Sequence, residues 1–168
     1  MNKDSLVYIA RFIGLVLIQV LVLNHINFLG YLNPYLYLIF ILLAPITIHR
    51  STFLFVSFLL GLCIDIFGDS GGVHAAASVV IAYARPLVLR STFGLSYEFQ
   101  TMKLSKVGFI ERLTYVTLMV LIHHTILFSL EVFNVSHILL IAKKTLFSGI
   151  FTIFLTMIVL VLFRKSNS

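Results

Sequence analysis

Residues 61–75 read GLCIDIFGDSGGVHA. An apolar run carries Asp65 near its end, breaks at Gly68, Gly71 and Gly72, and restarts with His74. The sequence on both sides is hydrophobic enough to lie in a bilayer. Asp65 is therefore an acidic residue well inside a membrane-like segment, and such residues are functional candidates by default. The glycines allow a tight reversal, so the stretch reads as a hairpin of two membrane helices with Asp69 or Ser70 free to cap the second. The string GDSGG also surrounds the nucleophile of chymotrypsin-like proteases. That chemistry needs a histidine base and a buried aspartate brought to the serine by a double β-barrel, and a five-residue turn between membrane spans supplies neither.

Composition agrees with the hairpin reading. Of 168 residues, 60% are hydrophobic and 11% charged, against about 45–50% and about 25% in soluble domains. The expectation is one all-α membrane domain over residues 1–168, a compact bundle of six transmembrane helices near 6–24, 34–49, 52–67, 72–89, 108–132 and 138–163. No small-residue cleavage site follows the first span, so it reads as a retained helix rather than a signal peptide. Pro34 suits the first turn of the second span, and Pro45 should kink that span or end it early. Tyr31, Tyr35 and Tyr37 read as an interfacial aromatic belt. Ser78 with Ala82, and Ser148 with Thr152 and Thr156, form small-residue faces that permit close helix contact. Cys63, alone among apolar neighbours, reads as a packing residue.

The net charge of +6 flanks the apolar runs, which makes it an orientation signal rather than a nucleic-acid site. With the N-terminus inside, Lys3, Arg11, Arg50, Arg85, Arg90, Lys103, Lys106, Arg112, Arg164 and Lys165 fall on one side. Only Lys143 and Lys144 fall on the other. Both termini are then cytoplasmic and the 65–74 hairpin turns outside. Residues 87–107 mix basic and aromatic side chains, as a connector lying on anionic membrane lipids would.

His123 and His124 lie ~23 Å along the fifth span, and Asp65 ~20 Å along the third, with His74 and His25 at similar depth. No metal-ligand spacing joins them, and adjacent histidines point about 100° apart on a helix. They read as hydrogen-bonded interior polar residues, and Gln19 in the first span as glue of the same kind. There is no Walker loop, dinucleotide fingerprint or nucleophile–base pair. The reading is of a protein that is not an enzyme and uses no cofactor. Within the hairpin, Asp65 and His74 each lie at the unfavourable end of their own helix dipole. Asp65 is therefore expected to be held by His74, by the free N–H groups of the next helix, or by both.

The order of these features resembles the MreD family of rod shape-determining membrane proteins. A Gln19-bearing first helix precedes Gly30 and Pro34; then come G-L-x-x-D at Gly61 and Asp65, the glycine turn, G-V-H-A at 72–75, and Arg85 near the inner end of the fourth helix. The resemblance implies a non-enzymatic scaffold of the cell-wall elongation machinery in the bacterial inner membrane. Its implied partners are MreC, RodA, a class B penicillin-binding transpeptidase and the filament protein MreB. It also implies similarity to the six-helix S components of vitamin transporters, which is the alternative function. S components dock through a small-xxx-small face on an early helix, and Ala10 with Gly14 makes one here. Gln19, Asp65, His74, Arg85, His123 and His124 are the candidate structural, partner or ligand residues. Gly61, Gly68, Gly71 and Gly72 are assigned to the hairpin turn.

Overall fold

A computed structural model describes residues 3–26, 33–94 and 107–165. Gly30, Tyr31, Lys103, Lys106 and most of the 87–107 connector lie outside the described residues. The described chain is helical. Five of its helices are long and apolar enough to cross a membrane, which makes this an all-α, multi-pass membrane protein. They are α1 (Lys3–Leu21), α3 (Arg50–Gly68), α4 (Val73–Phe93), α5 (Phe109–Val132) and α6 (Ile138–Lys165). Successive helices from α3 to α6 pack as neighbours, while α1 leans chiefly on α3 at one edge.

The predicted second span is the main departure. Residues 34–49 do not form one helix; only Leu38–Leu42 is α-helical, a five-residue α2. Proline chemistry explains the C-terminal end: the ring of Pro45 pushes Ala44 out of the helical region. Leu43 closes α2 before Pro45 is reached. Non-helical backbone at membrane depth survives only where protein covers it, and every residue from Tyr35 to Leu42 is buried. The segment is the centre of the bundle, with the long helices around it. Tyr35 and Tyr37 consequently sit in the interior, Tyr37 with no exposed surface, and not in an interfacial belt.

The hairpin is formed as the glycines suggest. Asp69 closes α3 in the left-handed region at φ 48°. Gly71 and Gly72 follow at φ 66° and 93°, values that strain any residue with a Cβ. Gly61, assigned to the turn, instead lies inside α3. A Cβ there would fall 2.5 Å from Ala75 Cα, so Gly61 is where the backbones of α3 and α4 touch. Helix α4 passes through Pro86 and runs beyond residue 89 to Phe93, stopping at Gly94 with φ 70°. Ser78 and Ala82 on α4 and Ser148, Thr152 and Thr156 on α6 are all buried, as their small-residue spacing predicted.

Candidate functional site

Two polar side chains clamp the ends of the broken segment. Gln19 of α1 accepts from Leu36 N at 2.8 Å and from Tyr37 N at 3.4 Å. Its amide donates to Pro34 O at 3.0 Å and to Asn24 Oδ1 at 2.9 Å. At the other end, Arg85 of α4 donates to Ala44 O at 2.5 Å and Leu42 O at 3.4 Å. Its Nε donates to the Tyr115 hydroxyl at 3.1 Å, which itself donates to Leu42 O at 3.3 Å. The assignment follows from helix polarity. A helix start leaves N–H groups without partners and needs an acceptor; a helix end leaves carbonyls and needs a donor. In a bilayer each unmet group costs several kcal/mol. Gln19 and Arg85 meet these demands for a helix too short to meet them itself.

Between the clamps runs a chain of rings. The Tyr37 hydroxyl lies 3.0 Å from His74 Nδ1 and 2.7 Å from His123 Nε2. His123 Nδ1 is 3.4 Å from His124 Nδ1, which faces Val120 O at 2.9 Å. His124 Nε2 is 3.2 Å from Thr152 Oγ1, and that oxygen accepts from Tyr35 N at 3.0 Å. The carbonyl of Val120 can only accept, so His124 carries its one hydrogen on Nδ1 and directs it to Val120 O, and its Nε2 accepts from Thr152. His123 Nδ1, 3.4 Å from that N–H, can at most share the same hydrogen, and the hydrogen of His123 then sits on Nε2, donating to Tyr37. Tyr37 in turn donates to His74 Nδ1. The ring of Tyr35 packs on His74 and His124 with centroids 5.4 and 5.3 Å away.

Asp65 lies beside this chain without joining it through the His74 ring. Its carboxylate accepts from His74 N at 3.0 Å and Ala75 N at 2.8 Å, and from the Ser70 hydroxyl. Of the two partners expected for Asp65, the helix N–H groups are present and the imidazole is committed to Tyr37. The first turn of α4 is thus capped from the preceding helix. Neither Asp69 nor Ser70 performs that role, and Ser70 serves as a donor to the cap.

The structure therefore brings His74, His123 and His124 together, places Gln19 and Arg85 at the two clamps, and sets Asp65 next to His74. His25 is exposed and belongs to none of these groups. Tyr37, Tyr35, Thr152 and Tyr115 belong to the site and escaped the sequence reading. Their signal was a hydroxyl-bearing residue within an apolar span, which tyrosines grouped near a proline disguised as a belt. Arg112, counted only as an orientation charge, is 2% exposed. Its Nη2 donates to Val107 O, while Nε and Nη1 have no hydrogen-bond partner among the described residues. No three His, Cys, Asp or Glu side chains among the described residues are placed to hold a metal ion.

Fold and site together define a multi-pass helical membrane protein in which Gln19, Arg85 and Tyr115 bond one broken segment of its own chain. Comparison with family models, with curated proteins and with solved structures finds no match.

Proposed function

We propose that this protein is a non-enzymatic membrane scaffold of the MreD type, acting in bacterial cell-wall elongation through partners of the MreC, RodA, MreB and class B transpeptidase kinds. The observation that supports this reading is where the interior polar groups point. Gln19, Arg85, Asp65 and Tyr115 direct hydrogen bonds to the protein's own backbone, and the histidines bond to one another, to Tyr37 and to Thr152. What faces outward is apolar helix surface, most openly on α1, where Leu6, Ile13 and Leu21 are about half exposed or more. Such surfaces suit lipid and partner helices. Depleting the protein in its own cells is expected to round them, and mild-detergent purification is expected to recover an MreC-type protein with it. Normal rods after depletion, with no such protein recovered, would end this reading.

One observation favours the S-component alternative: Ala10 is exposed on α1, and a Cβ added at Gly14 would meet nothing within 4 Å. A small-xxx-small face is thus uncovered. Recovery with an ATPase pair and a bound vitamin, in place of the MreC-type protein, would select this alternative.

A further inference from the structure

A groove of about 660 Å³ opens between α1, the segment after α2, and α3. Tyr8 and Phe12 form one wall, Phe53 the other, Phe40 and Ala44 the floor, and Ile48 part of the rim. The floor is buried, whereas Ile48 is 37% exposed, so the groove faces outward rather than into the bundle. Its lining is mainly apolar. In the hydrocarbon of a bilayer such a space finds no water, and lining atoms without neighbours lose their dispersion contacts. The material at hand to fill it is an acyl chain.

Charge narrows the choice of lipid. The Arg11 guanidinium lies over the ring of Tyr8, 5.8 Å from its centre, at the groove wall. Arg85 lies behind the opposite wall and floor, 5.3 Å over the Phe53 ring and bonded to Ala44 O. Neither has a carboxylate partner among the described residues, where the ion pair present joins Lys144 to Glu131. Of the carboxylates whose side chains are described, Asp65, Asp69 and Glu131 lie at the opposite end of the bundle, and Glu111, at this end, is exposed on α5. An apolar groove between two cations that have no carboxylate partner among the described side chains is complementary to a lipid with an anionic headgroup.

We propose that this groove holds one acyl chain of an anionic phospholipid, with its phosphate at Arg11. Arg85 supplies positive potential from behind the groove, its Nε and Nη2 being taken up by Tyr115, Leu42 and Ala44. The inference is independent of the scaffold reading and stands or falls on lipid binding alone.

The chain contains no tryptophan, so a single one reports cleanly. Ile48→Trp places it on the rim, and Ile9→Trp repeats the measurement from the α1 side should the first variant fold poorly. Each is reconstituted in phosphatidylcholine vesicles containing a minor fraction of phosphatidylglycerol, with bromine on the chains of one lipid or the other. One arginine beside an anionic headgroup favours occupancy about fivefold. Quenching per brominated lipid is therefore expected to be several-fold stronger for phosphatidylglycerol. Arg11→Gln is expected to abolish that preference and Arg11→Lys to keep it. A Phe154→Trp reporter on the exposed face of α6 is expected to be quenched alike by both lipids. Equal quenching at the groove, or a preference that survives Arg11→Gln or recurs at Phe154→Trp, would reduce the groove to ordinary lipid contact. Absence of quenching by either lipid would mean that a second copy of the chain covers it. Each of these results overturns the proposal.

Discussion

Asp65 and Gly61 lie one turn apart on α3 and meet the same two residues of α4, one through its carboxylate and the other through its lack of a side chain. Hydrogen bonds to a charged group contribute about 1.5–3 kcal/mol each. Asp65→Leu is accordingly expected to cost at least ~3 kcal/mol and to lower the melting temperature in detergent clearly. His74→Asn removes a ring contact to Tyr37 but keeps the backbone N–H on Asp65, so its melting temperature should fall less. Equal losses would mean that the cap does not govern the hairpin. At Gly61 a larger residue must push two backbones apart, at ~1–3 kcal/mol or more. Gly68→Ala is the control, since its nearest neighbour is Ser70 Oγ at 3.6 Å. Gly61→Leu should destabilise strongly where Gly68→Ala is nearly silent. The dipole argument reached the Asp65 cap from the sequence because it depends on position along two helices. The ring of His74 escaped it because its partner, Tyr37, comes from a different part of the chain.

Among the elements, the segment around α2 depends most on side chains supplied by others. Gln19→Leu leaves the Leu36 N–H and the Pro34 carbonyl without their partner, and a buried unmet group costs about 1–3 kcal/mol. Hydrogen exchange in residues 33–43 should accelerate in this variant while α6 keeps its protection. Arg85→Met should act on residues 40–48 in the same way, through the Leu42 and Ala44 carbonyls. Uniform loss of protection across all helices in either variant would show that these residues support the whole bundle and not this segment. Tyr37→Phe removes the hydroxyl between His74 and His123, and is expected to cost about 1–3 kcal/mol with the fold retained. The sequence of 34–49 concealed this arrangement. Its hydropathy is that of a membrane helix, and only Pro45 signalled an early end.

For the molecule as a whole, charge gives an expected direction of insertion. The described basic side chains Arg11, Arg50, Arg85, Arg90 and Arg112 gather toward one end, and Lys143 and Lys144 toward the other. By the positive-inside rule the first end is the one expected to face the cytoplasm. A cysteine at Ser70, in a Cys63→Ala background, should then react with a membrane-impermeant thiol reagent in intact spheroplasts. Labelling only after lysis would invert the orientation. Although 34–49 is not a regular helix, it still carries the chain from the Gln19 end of the bundle to the Arg85 end.

Class, long helices and hairpin were legible in the sequence because each follows from local properties. A bilayer demands runs of apolar residues with backbone bonds closed inside each run, and glycines with positive φ mark where a run reverses. The sequence also identified Gln19, Asp65, His74, His123 and His124 as interior polar residues, since polar atoms at that depth must find partners, whereas it counted Arg85 among the orientation charges. It held no record of which partners. Those were decided by tertiary structure: a segment too short of helical bonds to stand alone drew in Gln19, Arg85, Tyr115 and Thr152 from four other helices. Hydropathy sums over neighbours along the chain, whereas an unmet N–H or carbonyl in hydrocarbon is answered by whatever side chain the packed bundle brings within about 3 Å.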